Sequence, residues 1–243
     1  MIFIGGLSGT KDFQTEEWNG KGCVRHIGLQ QVMSSFTETM SFDWPGTGRS
    51  LSVKTFPTTM EEEAMLVQTL AAQKSVLPPY ILVAQHIGCY TAITYAMQNP
   101  KQVKALVLIH PPPVSAYSPK VLTKSYVEKY PSAAGRIRAF LASKDKWPRV
   151  FKSSKVMVHV DMVPKEAPKT MHEENEKALV ELEKLFPNRI YHYGASVRIH
   201  RNDPYPILAT IIRFMKAKER HKTVRKMQRM AKIIVKSPPR KRV

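Results

Sequence analysis

The segment Val103-Lys-Ala-Leu-Val-Leu-Ile109 is apolar at all but one position, too short for a core helix and without a wet face. A run of that kind makes a strand buried on both sides, as in parallel sheets whose crossover connections are helices. Met1–Ile4, Ser35–Phe42, Tyr80–Val83, Val156–Val160 and Ile190–Tyr193 read as further strands. Thr59–Ser75 opens Thr-Met-Glu-Glu-Glu, where a capping hydroxyl and acids complement the positive end of a helix dipole. Cys89–Met97, Met171–Phe186 (apolar face Leu179, Leu182, Leu185) and Pro204–Met215 are the other helices expected. Strands alternating with helices predict an α/β fold, a mostly parallel sheet flanked by helices.

The 243 residues suffice for one large domain over 1–215 and a tail over 216–243. Charge divides them. The chain carries 38 basic and 19 acidic residues, a net +19, and Lys216–Val243 alone holds 12 basic residues and one acid. Val224, Met227, Ala231 and Ile234 recur along one side of that tail, Ser237-Pro-Pro239 ends its helix, and Arg240–Arg242 continues extended. A basic helix and extended end can follow a phosphate backbone, so RNA is the expected partner. Its candidate contacts are Lys216, Lys218, Arg220, Lys222, Arg225, Lys226, Arg229, Lys232, Lys236, Arg240, Lys241 and Arg242. The segment lacks aromatics, which argues against base stacking and points to recognition by backbone charge and shape. A membrane-surface role for the same tail is weakened by that lack.

Two distant cysteines, Cys23 and Cys89, argue against a disulfide framework or a thiolate zinc site and fit a reducing compartment. His159, His172 and His192 have no metal-ligand spacing, so no metal and no cofactor is expected. No apolar run approaches the roughly 20 residues of a membrane span. The opening residues show no leader of the secretory or transit kind.

Four segments bear a resemblance. Gly5-Gly-Leu-Ser-Gly9 follows a strand as an oxyanion-side loop does, and Asp43-Trp-Pro-Gly-Thr-Gly-Arg-Ser50 matches D-x-P-G-x-G-x-S. Tyr80–Cys89 through Asn99–His110 is similar to a nucleophile-elbow strand, its helix and the next strand. Gly194-Ala-Ser-Val-Arg-Ile-His-Arg-Asn-Asp-Pro204 is similar to the segment that delivers a catalytic histidine. In this order the four resemble the α/β-hydrolase superfamily over nearly all of Met1–Met215. The resemblance implies that fold with its first two strands missing and the Ser35–Phe42 strand at a sheet edge. A reduced cap of loops and short helices would occupy 111–154.

By the same resemblance the triad is degenerate. Ala84-Gln-His-Ile-Gly88 stands where G-x-S-x-G is usual, so His86 holds the nucleophile position. Val197 holds the histidine position, with His200 three residues beyond, and Asp161 lies near a place the family uses for its acid. Cys89 reads as a small buried packing residue and His110 as a loop residue. Without serine and base the expectation is a protein that is not an enzyme and has no small-molecule substrate. Recruited degenerate enzymes of this type imply a structural, rRNA-binding component of a mitochondrial ribosome among neighbouring proteins, or otherwise a cytoplasmic particle. The alternative is an active hydrolase with an unorthodox site, His86 with Asp161.

Overall fold

A computed structural model describes residues 1–7, 16–18, 23–25, 28–143, 157–162 and 189–193, with helical positions at 173, 176–178, 180–182, 208 and 211–212. The strands are β1 (Ile2–Ile4), β2 (Glu16–Trp18), β3 (Cys23–Arg25), β4 (Met40–Ser41), β5 (Tyr80–Gln85), β6 (Val103–Ile109), β7 (Met157–Met162) and β8 (Arg189–Tyr193). The helices are α1 (Leu29–Ser34), α2 (Met60–Gln73), α3 (Gly88–Gln98), α4 (Lys124–Lys129) and α5 (Pro131–Ser143). Six strands form one sheet in the order β4-β1-β5-β6-β7-β8, every neighbouring pair parallel, while β2 and β3 pair antiparallel on their own. This is the α/β architecture expected.

The sheet is buried on both faces, which is why its strands read as continuous apolar runs. Ile2, Ile4, Leu82, Ala84, Leu106 and Leu108 point to the face covered by α2, α3 and α5. Phe3, Ile81, Val83, Ala105, Val107 and Ile109 point to the other, against α1, Leu208 and Ile211. That alternation is the two-residue period of a strand.

α2 starts where its cap predicts: the Thr59 side chain accepts a hydrogen bond from the Glu62 amide at 3.2 Å. β6 has the expected bounds, whereas β5 runs two residues further than expected and β7 runs to Met162, so Asp161 is a ladder residue within it. Leu182 and Ala178 are buried at helical positions, as are Leu208, Ile211 and Ile212.

Two expectations are corrected. Ser35–Phe42 is strand only at Met40–Ser41; residues just before it complete a helix, Leu29–Ser34, closed by Ser35 and Phe36 amides donating to the Val32 and Met33 carbonyls. Its polar residues favour such local turns over a long ladder. Within 111–154, Pro131–Ser143 is a buried thirteen-residue helix rather than a loose cap element. Gly135 makes this possible, since a Cβ there would meet Phe56 Cβ at 2.9 Å. The Ser143 hydroxyl then ties the end of α5 to the start of α2, receiving the Met60 amide and donating to Glu61.

Candidate active site at the strand switch point

From β1 the chain moves outward to β4, and from β5 it moves the other way through β6, β7 and β8. The order therefore reverses between β1 and β5, and in open α/β sheets the crevice beyond the carboxyl ends at such a point takes ligands. Ile4 is in register with Ala84, so the Gly5–Gly6 loop and the turn at His86 leave the sheet side by side.

His86 is held in the left-handed region, at φ +52. Such a backbone costs of order 1 kcal/mol or more outside glycine and persists only where its surroundings impose it. Here the His86 amide donates to the Ile109 carbonyl at 2.9 Å and its own carbonyl accepts from Cys89 at 3.0 Å. Gly88 completes the elbow. A Cβ on it would lie 2.5 Å from the Gly5 carbonyl oxygen, so only glycine lets α3 start this close to the end of β1. The Asp43–Ser50 turn is similarly constrained: Gly48, at φ +53, leaves room for the Asp43 carboxylate, which accepts the Arg49 amide at 3.0 Å.

The His86 residue is partly buried and its ordinary pKa falls to about 4, chiefly through desolvation and secondarily through the positive charge of Arg136. At neutral pH it is therefore an uncharged imidazole with a lone pair in place. The Tyr117 hydroxyl lies 3.3 Å from Nδ1 and 3.4 Å from Nε2. Tyr117 meets Phe140 edge-on at 5.4 Å, and Phe140 meets Tyr90 at 4.8 Å, forming an aromatic wall beside the elbow. Tyr90 donates to the Pro112 carbonyl, and Glu181 accepts the Val114 amide, which anchors the segment carrying Tyr117. Burial raises the Tyr90 hydroxyl pKa well above its usual range. The Gln85 side-chain oxygen, buried next to His86 in sequence, accepts no hydrogen bond among the described residues.

Beneath the glycine loop lies a group of residues to which sequence reasoning assigned no site role. Arg136 on α5 is 3% exposed and Glu63 on α2 is fully buried. Arg136 Nε and Nη2 each donate to a Glu63 carboxylate oxygen at 3.0 Å, and Nη2 also reaches Thr91 Oγ1 at 3.1 Å. Nη1 donates to the Gly5 carbonyl at 2.9 Å and to that of Gly6. The guanidinium lies 4.0 Å from the centroid of Trp44, whose indole N–H also donates to Gly5. The signal was present: Glu63 falls on the same helical stripe as Met60, Ala64, Val67 and Ala71, the buried side of α2. Read only as a first-turn acid, it conceals its inward direction.

Cys89 is the packing residue expected. Its thiol donates to the Ala84 carbonyl at 3.3 Å, and burial pushes its pKa far up, away from nucleophilic thiolate. His110 sits in the turn after β6, as expected, at φ +46. Asp161 pairs in register with Ile109, two strands from Gln85 and so roughly 10 Å away at the usual strand spacing; its side chain lies outside the described residues. Val197, His200 and every basic candidate from Lys216 to Arg242 also lie outside them. Among the described residues no cluster of His, Cys, Asp and Glu could hold a metal, and no helix is long and apolar enough to cross a membrane.

No family model matches the chain, and no curated protein sequence matches it. Solved structures do. An E-2-(acetamidomethylene)succinate hydrolase is 16% identical with a TM-score of 0.54, the match covering 88% of this chain and 90% of that one. A lipase-esterase related protein from Clostridium acetobutylicum is 12% identical with a TM-score of 0.57, over 88% and 93%. The RedJ thioesterase of prodiginine biosynthesis in Streptomyces coelicolor is 14% identical with a TM-score of 0.58, over 88% and 89%. These neighbours correct the expectation of a chain that is not an enzyme and takes no small-molecule substrate, because structures sharing its fold are catalytic hydrolases. Physically, the elbow that the family pattern gives to serine carries here a strained His86 with a neutral imidazole, so the absence of serine does not by itself exclude chemistry. The ribosomal and mitochondrial expectations gain no support from them. What the comparisons and the strand order together establish is that this chain has the α/β-hydrolase fold.

Proposed function

We propose that the chain is a hydrolase of unorthodox site that cleaves a small acyl ester or thioester, with His86 as the reacting group. The observation that carries this reading is the uncharged imidazole held in a left-handed turn at the strand switch point. Its ring nitrogen attacks the acyl carbon, the bond to the leaving oxygen or sulfur breaks, and that group takes the proton given up by the imidazole. Water then cleaves the acyl-imidazole, releasing the acid and restoring His86. A ring of low basicity is a good leaving group in this second step, so the adduct is short-lived. Asp161 is the candidate carboxylate, and the glycine loop after β1 supplies backbone amides to the developing oxyanion. The names of the solved neighbours, a thioesterase and an esterase-related protein among them, support the substrate class.

Turnover of p-nitrophenyl butyrate and of a butyryl thioester by the full chain tests it. His86→Ala is expected to reduce kcat/KM by about 10³-fold or more, in keeping with removal of a nucleophile. The wild-type rate should fall as pH drops through about 4, where the ring takes up a proton. Equal rates for His86→Ala and wild type on both probes would sink the reading.

A second reading concerns 216–243 and rests on its 12 basic residues against one acid. We propose that this segment binds RNA through phosphate contacts, alongside catalysis rather than in place of it. Filter binding of a generic structured RNA over a salt series is expected to show a steep loss with salt, removed by deleting 216–243. Salt-independent or unchanged binding in the deletion overturns it.

A further inference from the structure

We infer that Arg136 is a positioning residue of the elbow site, whose guanidinium holds the Gly5 and Gly6 carbonyls and thereby sets the glycine-loop amides beside His86. The inference deepens the hydrolase reading and rests on it for its catalytic consequence, but the positioning itself stands on the geometry alone.

Arginine has five N–H donors in a fixed plane, and here Nε, Nη1 and Nη2 are all engaged. Glu63 receives two hydrogen bonds and Thr91 one, while Nη1 serves two successive backbone carbonyls, those of Gly5 and Gly6. A buried ion pair needed only for packing would stop at its carboxylate. This one extends to a loop more than 130 positions away in the chain. Because each peptide is planar and trans, fixing the Gly5 and Gly6 carbonyls toward Arg136 turns the Gly6 and Leu7 amides the opposite way. Trp44 closes the arrangement, its ring under the guanidinium and its N–H on the same Gly5 oxygen. The loop is thus anchored from beneath by a cation that is itself locked by Glu63, Thr91 and Trp44. Lysine, a point charge with no planar fork, cannot reproduce these directions.

Register gives the anchoring its relevance. β1 and β5 are neighbours with Ile4 opposite Ala84, so the loop Arg136 holds leaves the sheet next to the elbow. Gly88 confirms the closeness, its backbone abutting the end of β1 at the Ile4 and Gly5 carbonyls. The positive charge acts on the same site by a second route, helping to keep the His86 ring unprotonated.

The test uses the full chain with Arg136→Lys and with the paired change Glu63→Gln plus Arg136→Met, which removes the cation without stranding a buried carboxylate. Three quantities are read: amide exchange at Gly6 and Leu7 by NMR, the titration midpoint of the His86 ring, and kcat and KM on p-nitrophenyl butyrate. In the paired variant Gly6 and Leu7 should exchange about tenfold or more faster, while β6 amides are unchanged. The His86 midpoint should rise toward its ordinary value, since the smaller of the two causes that lower it is removed. With misplaced amides kcat should fall by roughly 10²-fold and KM by little. Arg136→Lys should loosen the loop equally yet leave the midpoint low, and it supplies the loop reading if the paired variant does not fold. Unchanged exchange at Gly6 and Leu7 in a folded variant overturns the proposal. If loop and midpoint respond but wild type turns over no ester, the positioning role stands and the hydrolase reading is what fails.

Discussion

The two faces of the sheet are built on different principles. On the face covered by α1, Leu208 and Ile211, the buried residues among those described are all apolar. On the face covered by α2, α3 and α5, apolar packing also encloses Glu63, Thr91, Thr94, Ser132, Arg136 and Ser143, every buried polar residue among the described residues. A buried charge is tolerated only when paired and hydrogen-bonded, and an apolar replacement of equal volume would stabilise as well. Among the described residues the pair lies on one face alone, and its role there goes beyond packing. It holds the loop beside the elbow, so the first face makes the fold and the second makes the site.

The contrast can be broken by substitution. Leu29→Ala, on the purely apolar face, is expected to cost about 2–5 kcal/mol in urea unfolding. It should leave the His86 midpoint and the Gly6 exchange rate unchanged. A shift in either would show that the two faces are not independent. The next effect belongs to the polar face. His86 has a pKa near 6.5 unfolded and about 4 folded, so the unfolded chain takes up the proton first. Stability should therefore fall as pH drops from about 6.5 to about 4, by about 3 kcal/mol, and be fully present above that window. His86→Gln should flatten that part of the profile when wild type and variant are unfolded across it. An unchanged slope would mean the ring titrates as if exposed. The smallest effect is at the α2 cap, where Thr59→Ala should cost about 1 kcal/mol. Because α2 carries Glu63, this variant also sharpens the comparison: faster exchange at Gly6 would trace the loop's order back through the helix start.

Much of the fold was legible in advance because its signals are local. The run Val103–Ile109 could only be a strand covered twice, and Thr59 with its glutamates marked a helix start to the residue. Ser35–Phe42 misled for the opposite reason, since its length suggested a strand while the backbone amides of its first residues close a helix. The elbow was found through its glycine spacing and helix, whereas the strain and neutrality of His86 were not. Substitution of serine read as loss, because a motif records residue types and cannot express the strain or the neutrality that the turn imposes.

The sequence by itself determined the alternation of strands and helices, the position of the elbow, the packing role of Cys89 and the concentration of charge in 216–243. Periodicity and composition carry those, and both are properties of neighbouring residues. Only the tertiary structure decided that Arg136, placed in a segment that reads as loosely ordered, turns inward to Glu63 and reaches Gly5 and Gly6. It also decided that the imidazole of His86 is uncharged. Both outcomes depend on what surrounds a group in space, where desolvation and pairing act, and no spacing along the chain encodes that surrounding.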